Sequence, residues 1–245
     1  MEQFSDVKEL FRDVVDLRNY VPLSSSEKKK VDLMTAIEQK EKMILLTGEA
    51  GSGKSLLLRR VYEELKEKGN NEVHFISNPY METEKVLRFL KDLRKGLHHV
   101  ILVDEAQLLS PEHWEMLRMY ADKGNVTVVF ATHDTDVKKL LELKHFKTRI
   151  NYIIRLENVS FSEMQYFIYS KLLRSEESYI ANMFKKSDFK KIYKFTKGSL
   201  RATNQFMYKL FDVMEFFYNK SPHKFNRKRV ANKYIEIAKM DLKGN

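Results

Sequence analysis

Five short apolar runs, Met43–Thr47, Val73–Ser77, Val100–Val103, Val126–Ala131 and Tyr152–Leu156, alternate with segments of helical pattern. Runs of this kind suit strands of a parallel sheet buried on both faces, and parallel neighbours need a crossover, usually a helix. The intervening segments carry helix signals. Ser24 and Glu27 form a capping-box pair ahead of Val31–Ile37, and Ser110-Pro111 opens a later helix. Leu57, Leu58, Val61 and Leu65 make one apolar face that ends at Gly69-Asn70. The order predicts a doubly wound, three-layer α/β/α domain with a five-stranded parallel sheet and right-handed crossovers.

After Leu156 the strand pattern stops. Ser160 and Glu163 are spaced as a capping box, and Phe161–Leu173, Asp188–Phe195, Leu200–Tyr218 and Arg227–Met240 read as helices. The charge changes at the same place. Residues 1–150 balance to zero, whereas residues 151–245 hold 19 Lys and Arg against 9 Asp and Glu, which is the whole net charge of +10. The expected organisation is therefore an α/β domain over residues 21–157 and a small, basic, all-helical domain over 158–245. Residues 1–20 stand apart as an amphipathic helix, with Phe4, Val7, Leu10, Phe11, Val14 and Val15 at helical spacing. That stripe suits either the chain's own core or a partner.

At 245 residues with a 43% hydrophobic fraction, the chain is long enough to bury a core. It has no cysteine, so neither a disulfide framework nor a thiolate metal site is available. No apolar stretch approaches the roughly 18 to 20 residues that span a bilayer, and Met-Glu-Gln-Phe-Ser-Asp resembles no signal peptide. These features lead us to expect a soluble cytoplasmic protein, free or peripheral at the inner face of a membrane. The seven histidines are scattered, and His98-His99 reads as the beginning of a strand rather than a metal site.

Gly48-Glu49-Ala50-Gly51-Ser52-Gly53-Lys54-Ser55 matches G-x-x-x-x-G-K-[ST], placed after a predicted strand and opening a predicted helix, and with Leu56 it makes the expected nucleotide-binding stretch. Glycines let backbone N–H groups curl around an anion, and the helix that follows presents its positive end. Lys54 suits the β- and γ-phosphates and the Ser55 hydroxyl suits Mg²⁺. The run His99–Val103 ends in Asp104-Glu105. In open α/β sheets the carboxyl ends of the strands line the ligand crevice, so Asp104 is expected near the metal and Glu105 beside the attacking water. Asn78 follows the second strand and Thr132-His133 closes the fourth, each a polar loop or a γ-phosphate sensor. Arg149, just before the fifth strand, and Arg201, in Gly-Ser-Leu-Arg, are solvated surface residues or nucleotide contacts.

Together, Leu-Leu-Thr-Gly-Glu-Ala-Gly-Ser-Gly-Lys-Ser, Ser77-Asn78-Pro79, Asp-Glu-Ala-Gln-Leu-Leu-Ser, Arg149-Ile150 and Gly198–Asn204 resemble an AAA+ ATPase over residues from about 20 to 240. Within that superfamily the chain is similar to the ExeA/GspA/MshM-type ATPases of type II secretion and type IV pilus systems, and to transposition ATPases of the TniB/TnsC kind. The resemblance implies an ATP- and Mg²⁺-dependent homo-oligomer with nucleotide between subunits. Lys54, Ser55, Asp104 and Glu105 would act in cis and Arg149 in trans. It further implies Asn78 as the switch restraining Glu105, Thr132 or His133 as sensor one, Arg201 as sensor two, and the helical domain as a lid. Sensor one is commonly a small polar residue, and His133 departs from that pattern.

Two functions follow as expectations. One is an ATPase switch that serves a secretion, pilus or DNA-uptake machine through a protein partner. The other is a DNA-binding regulator in which the basic C-terminal part, including Lys224 and Arg227-Lys228-Arg229, tracks phosphates. The glycine loop alone also fits a kinase or a GTPase, but no Asn-Lys-x-Asp guanine-reading sequence occurs.

Overall fold

The computed structural model describes residues 4–91, 97–137, 149–150, 152–175 and 178–243. They form two compact units, one of residues 24–157 and one that joins residues up to 23 with residues from 158 onward.

In the first unit the elements run α2 (Ser24–Glu38), β1 (Met43–Gly48), α3 (Lys54–Lys68), β2 (Glu72–Ile76) and α4 (Pro79–Lys91), followed by β3 (His99–Val103), α5 (Pro111–Asp122), β4 (Val126–His133) and β5 (Tyr152–Leu156). The strands are all parallel, in the order β2-β3-β4-β1-β5. Alternation of side chains across the pleat divides the core into two layers. Leu45, Ile101, Val103, Val128 and Phe130 face Leu87 of α4 and Trp114 and Leu117 of α5. Ile44, Leu46, Val100, Leu102 and Val129 face Leu33 and Ile37 of α2 and Leu57, Leu58 and Val61 of α3. This is the expected three-layer α/β/α sandwich. Ser110 caps α5 by accepting from the His113 N–H, with Pro111 at the first turn, and Gly69 closes α3 in a left-handed conformation. Ser24 is the first helical residue of α2 rather than its flanking cap.

The second unit is helical: α1 (Ser5–Glu9), α6 (Phe161–Leu172), α7 (Lys186–Thr196), α8 (Leu200–Lys220) and α9 (Asn232–Lys243). Ser160 and Glu163 make the capping box expected for α6. The last helix begins later than the expected Arg227. Asn226 accepts from the Lys228 N–H and Val230 donates to the Met183 carbonyl, so Arg227–Arg229 are taken up in a turn. The N-terminal stripe also differs from expectation, because α1 spans only five residues. Phe4, Val7 and Phe11 are buried against Phe211, Phe225 and neighbouring residues of the helical core, whereas Val14 and Val15 are 55% and 52% exposed. Of the six stripe residues, the three that fill the core thus lie at its beginning; residues 1–3 lie outside the described residues.

Lys171 secures this arrangement. It is buried, and its ammonium donates to the Leu10 carbonyl at 2.7 Å and to Asn204 Oδ1 at 3.0 Å, with the Phe11 and Phe167 rings beside it. Burial, with the Arg174 charge adding to it, pulls the Lys171 amine down from its ordinary 10.5 to about 8, against the opposing pull of Asp13. Between those two values the folded state binds fewer protons than the unfolded chain, so Lys171 adds stability as pH rises through that window. Replacing it with Met removes the titration. The stability of wild type relative to Lys171→Met is expected to increase by up to about 2 kcal/mol between pH 7 and about 9.5 in thermal denaturation, and a pH-independent difference would contradict the assignment.

Candidate nucleotide-binding site

The β1–β4 register pairs Thr47 with Thr132 and Gly48 with His133. It brings the first residue of the glycine loop beside the polar end of β4. The loop approaches β5 closely: a Cβ on Gly48 would stand 2.3 Å from the Leu156 carbonyl oxygen and 2.8 Å from Ser52 Oγ. Gly53, with φ 101°, turns the chain into the first residue of α3. Lys54 is buried, and its ammonium donates to the carbonyls of Gly48 and Glu49, each at 3.0 Å. The loop is thus curled around its own lysine.

His133 Nδ1 lies 3.2 Å from Lys54 Nζ, and His133 Nε2 lies 3.3 Å from Glu105 Oε2. An ammonium only donates, so Nδ1 accepts and the ring proton is on Nε2, the atom beside the Glu105 carboxylate. One imidazole therefore links the loop lysine to the carboxylate after β3. Glu105 also accepts from Gln107 Nε2, and Gln107 Oε1 accepts from Thr132 Oγ1 at 3.0 Å. The backbone of Glu105 is left-handed, with φ 47° and ψ 44°, a conformation that costs a non-glycine residue about 1 kcal/mol or more. Its N–H donates to Asp104 Oδ1 at 3.0 Å, which helps to hold it there.

Asp104 is buried, and burial pushes its carboxyl above the usual range. Hydrogen bonds from the Ser55 hydroxyl and the Glu105 N–H, together with the Lys54 charge, offset part of that shift. A serine hydroxyl and a buried carboxylate in contact are an oxygen donor set of the type Mg²⁺ takes, and a cation there would offset the burial of charge. Ser52 gives a second indication of fit. It is 1% exposed, and among the described residues its hydroxyl oxygen has no hydrogen-bond partner, although it lies within the loop that would receive a phosphate.

The other expected residues lie elsewhere. Asn78 is occupied in the turn that starts α4, where its side-chain oxygen accepts from the Tyr80 N–H at 3.1 Å, and it is not brought to Glu105. Arg149 donates to Asp122 Oδ2 at 3.1 Å. Asp122 also takes Arg118 at 2.6 Å and Lys42 at 3.8 Å, and Lys42 immediately precedes β1. Arg149 therefore sits at the ends of the strands opposite the glycine loop. Arg201 belongs to the helical unit, where its Nε lies 3.4 Å from Asp13 Oδ2.

Sequence reasoning passed over Gln107, Thr47, Asp134 and Arg155 at this end of the sheet. Gln107 lies within Asp-Glu-Ala-Gln and positions Glu105. Thr47 Oγ1 donates to Asp134 Oδ1 at 2.6 Å, and Arg155 Nη2 donates to Asp134 Oδ2 at 2.8 Å. Burial opposes ionisation of Asp134, but the bonds from Thr47 and Arg155 outweigh it and hold the carboxyl below its ordinary range. The available signal was Arg155 itself, a charge inside an apolar strand run.

A phosphate-type loop after β1, paired carboxylates after β3 and a five-stranded parallel sheet with β4 between β1 and β3 define a P-loop NTPase of the AAA+ fold. Residues 11–143 match the model of the family described as Novel STAND NTPase 5, and the chain belongs to that family. No curated protein matches the chain. Among solved structures it is similar to Orc1 of Aeropyrum pernix in complex with DNA, at 15% identity and a TM-score of 0.67 over 96% of this chain and 69% of that one. It is similar to a RuvB variant of Thermotoga maritima at 18% identity and 0.62, over 95% and 73%. The third is domain III of the Thermotoga maritima replication initiation protein DnaA, at 17% and 0.60, over 93% and 96%. Likeness at this identity shows the fold.

The close approach at Gly48 generates a test that needs no ligand. Gly48→Ala is expected to lower stability by roughly 2 to 4 kcal/mol, because the new methyl meets backbone rather than a movable side chain. An unchanged thermal midpoint would show that the loop does not pack on Leu156 as described.

Proposed function

We propose that the protein is a Mg²⁺-dependent ATPase whose nucleotide state controls its assembly. The single observation that carries this reading is the convergence of Lys54, His133 and Glu105, with His133 Nδ1 3.2 Å from Lys54 and Nε2 3.3 Å from the Glu105 carboxylate, next to the Ser55–Asp104 pair. Ser55 and Asp104 would hold Mg²⁺, which when bound neutralises charge on the β- and γ-phosphates. The backbone of Gly48–Leu56, with Lys54, binds the phosphates. The Glu105 carboxylate takes the proton of the water that attacks the γ-phosphorus, as the bond to the bridging oxygen breaks and ADP leaves. His133 orients that carboxylate and ties it to Lys54, so hydrolysis and phosphate contact are coupled through one ring. Thr132, through Gln107, holds the second contact to Glu105.

In the same reading Asn78 leaves its turn to restrain Glu105 in one nucleotide state. Arg149, remote from its own loop, serves the nucleotide of a neighbouring subunit, and Arg201 contacts ATP from the helical lid. The motif resemblance supports a cytoplasmic role, free or at the inner membrane face, in a secretion, pilus or DNA-uptake machine. No helix among the described residues is long and apolar enough to cross a membrane. A second reading, an ATP-controlled DNA-binding regulator of the transposition type, is favoured by the excess of ten positive charges on residues 151–245. The similarity of the fold to an Orc1 solved with DNA adds to it.

One experiment tests both. Steady-state ATP hydrolysis by wild type and Glu105→Gln is measured at low salt, with and without duplex DNA. The substitution is expected to keep ATP binding while kcat falls by about two orders of magnitude or more. Unchanged turnover would remove Glu105 from the mechanism. Strong stimulation of wild type by DNA would put the regulator reading first, and indifference to DNA would favour a protein machine.

A further inference from the structure

At the end of the sheet away from the glycine loop, the β2–β3 register pairs Glu72 with His99, the first residues of their strands. His74 lies two residues along β2 from Glu72 and so shares its face. The His74 and His99 rings stack with centroids 5.9 Å apart and planes 8° from parallel. His99 Nδ1 lies 3.6 Å from Glu72 Oε2, and one donor atom from each of the three residues falls within 4.8 Å of the others.

His99 makes this more than a polar edge. It is 3% exposed, and among the described residues neither ring nitrogen has a hydrogen-bond partner. A buried polar ring without a partner costs on the order of 1 to 3 kcal/mol, and such a group in a folded protein calls for an explanation. Its neighbour shows the contrast: His98 Nε2 lies 2.9 Å from Thr127 Oγ1 and is accounted for by that bond. Two imidazoles and a carboxylate are, in number and type, what a three-ligand zinc centre uses. A tetrahedron with bonds of about 2.1 Å has edges of about 3.4 Å, so rotations of the side chains that move donor atoms by about 1 Å complete the geometry.

We propose that Glu72, His74 and His99 form a binding site for a divalent transition cation of the zinc class. The site lies on the face of the sheet that carries Ile101 and Val103, at the beginning of β2 and β3. The fourth position opens on the side of Glu72, whose side chain is 42% exposed, and is filled by water or a small ligand. Mg²⁺ prefers oxygen donors, so the same cation does not serve both ends of the sheet. Bound metal would tie edge strand β2, which leads to Asn78, to β3, which leads to Asp104 and Glu105. The opposite end of the sheet is about 15 Å away along the strands.

The test uses the full chain, stripped with a chelator and titrated with Zn²⁺ by calorimetry in millimolar Mg²⁺, which occupies the Asp104 end. One Zn²⁺ per chain is expected. His74→Gln and Glu72→Gln, both at partly exposed positions, are each expected to weaken binding at least tenfold. Because a substitution can disturb the strand, the unmodified protein supplies a second readout: one equivalent of Zn²⁺ should shift the imidazole ¹⁵N signals of His74 and His99. Absence of stoichiometric binding overturns the proposal. So does affinity that both substitutions leave unchanged, or a shift confined to other histidines such as His133.

Discussion

The parallel pairing of β1 with β4 is the constraint on which the nucleotide end depends. With Gly48 opposite His133 and Thr47 opposite Thr132, the loop lysine, the imidazole and the Glu105 carboxylate fall within hydrogen-bonding range, although they lie at positions 54, 133 and 105. A slip of one residue would turn His133 to the other face of the sheet and break the line. Burial of both sheet faces prevents that slip, because Ile44, Leu46, Val129 and Ala131 would exchange layers with Leu45, Val128 and Phe130. The hydrophobic sandwich therefore sets the site geometry through register. The left-handed Glu105 is the local strain that the fold sustains at the same place.

The fold was largely legible because its signals are local. Apolar runs marked all five strands to within about two residues at their ends, and Ser110-Pro111, Gly69 and the Ser160–Glu163 box act where the pattern put them. Legibility weakened where long-range packing decides. In the N-terminal stripe, periodicity could not show that Phe4, Val7 and Phe11 fill the helical core while Val14 and Val15 stay exposed. For the last helix, the Asn226 turn and the Val230 hydrogen bond override a continuous helical pattern.

Much the same division runs through the candidate site. Lys54, Ser55, Asp104 and Glu105 lie in two short motifs, and spacing alone singles them out. Asp134 and Arg155 act through partners distant in sequence, and Gln107 joins its neighbour Glu105 to Thr132 of β4, so motif spacing does not single them out, although Arg155 stands out as a charge inside an apolar run. The same holds for Glu72, His74 and His99, since residues 25 positions apart become neighbours through the β2–β3 register. Asn78 and Arg149 show the converse. Sequence marked both, and the structure gives each an immediate partner away from Glu105, in Tyr80 and Asp122.

In the proposed function the glycine loop binds nucleotide phosphate through Lys54. Equilibrium binding of ATP to wild type and to Lys54→Ala, each with and without Mg²⁺, tests it most directly. One ATP per wild-type chain is expected, bound more tightly with Mg²⁺, with an affinity at least tenfold weaker in Lys54→Ala. Equal binding by the two proteins, or an affinity indifferent to Mg²⁺, would contradict it.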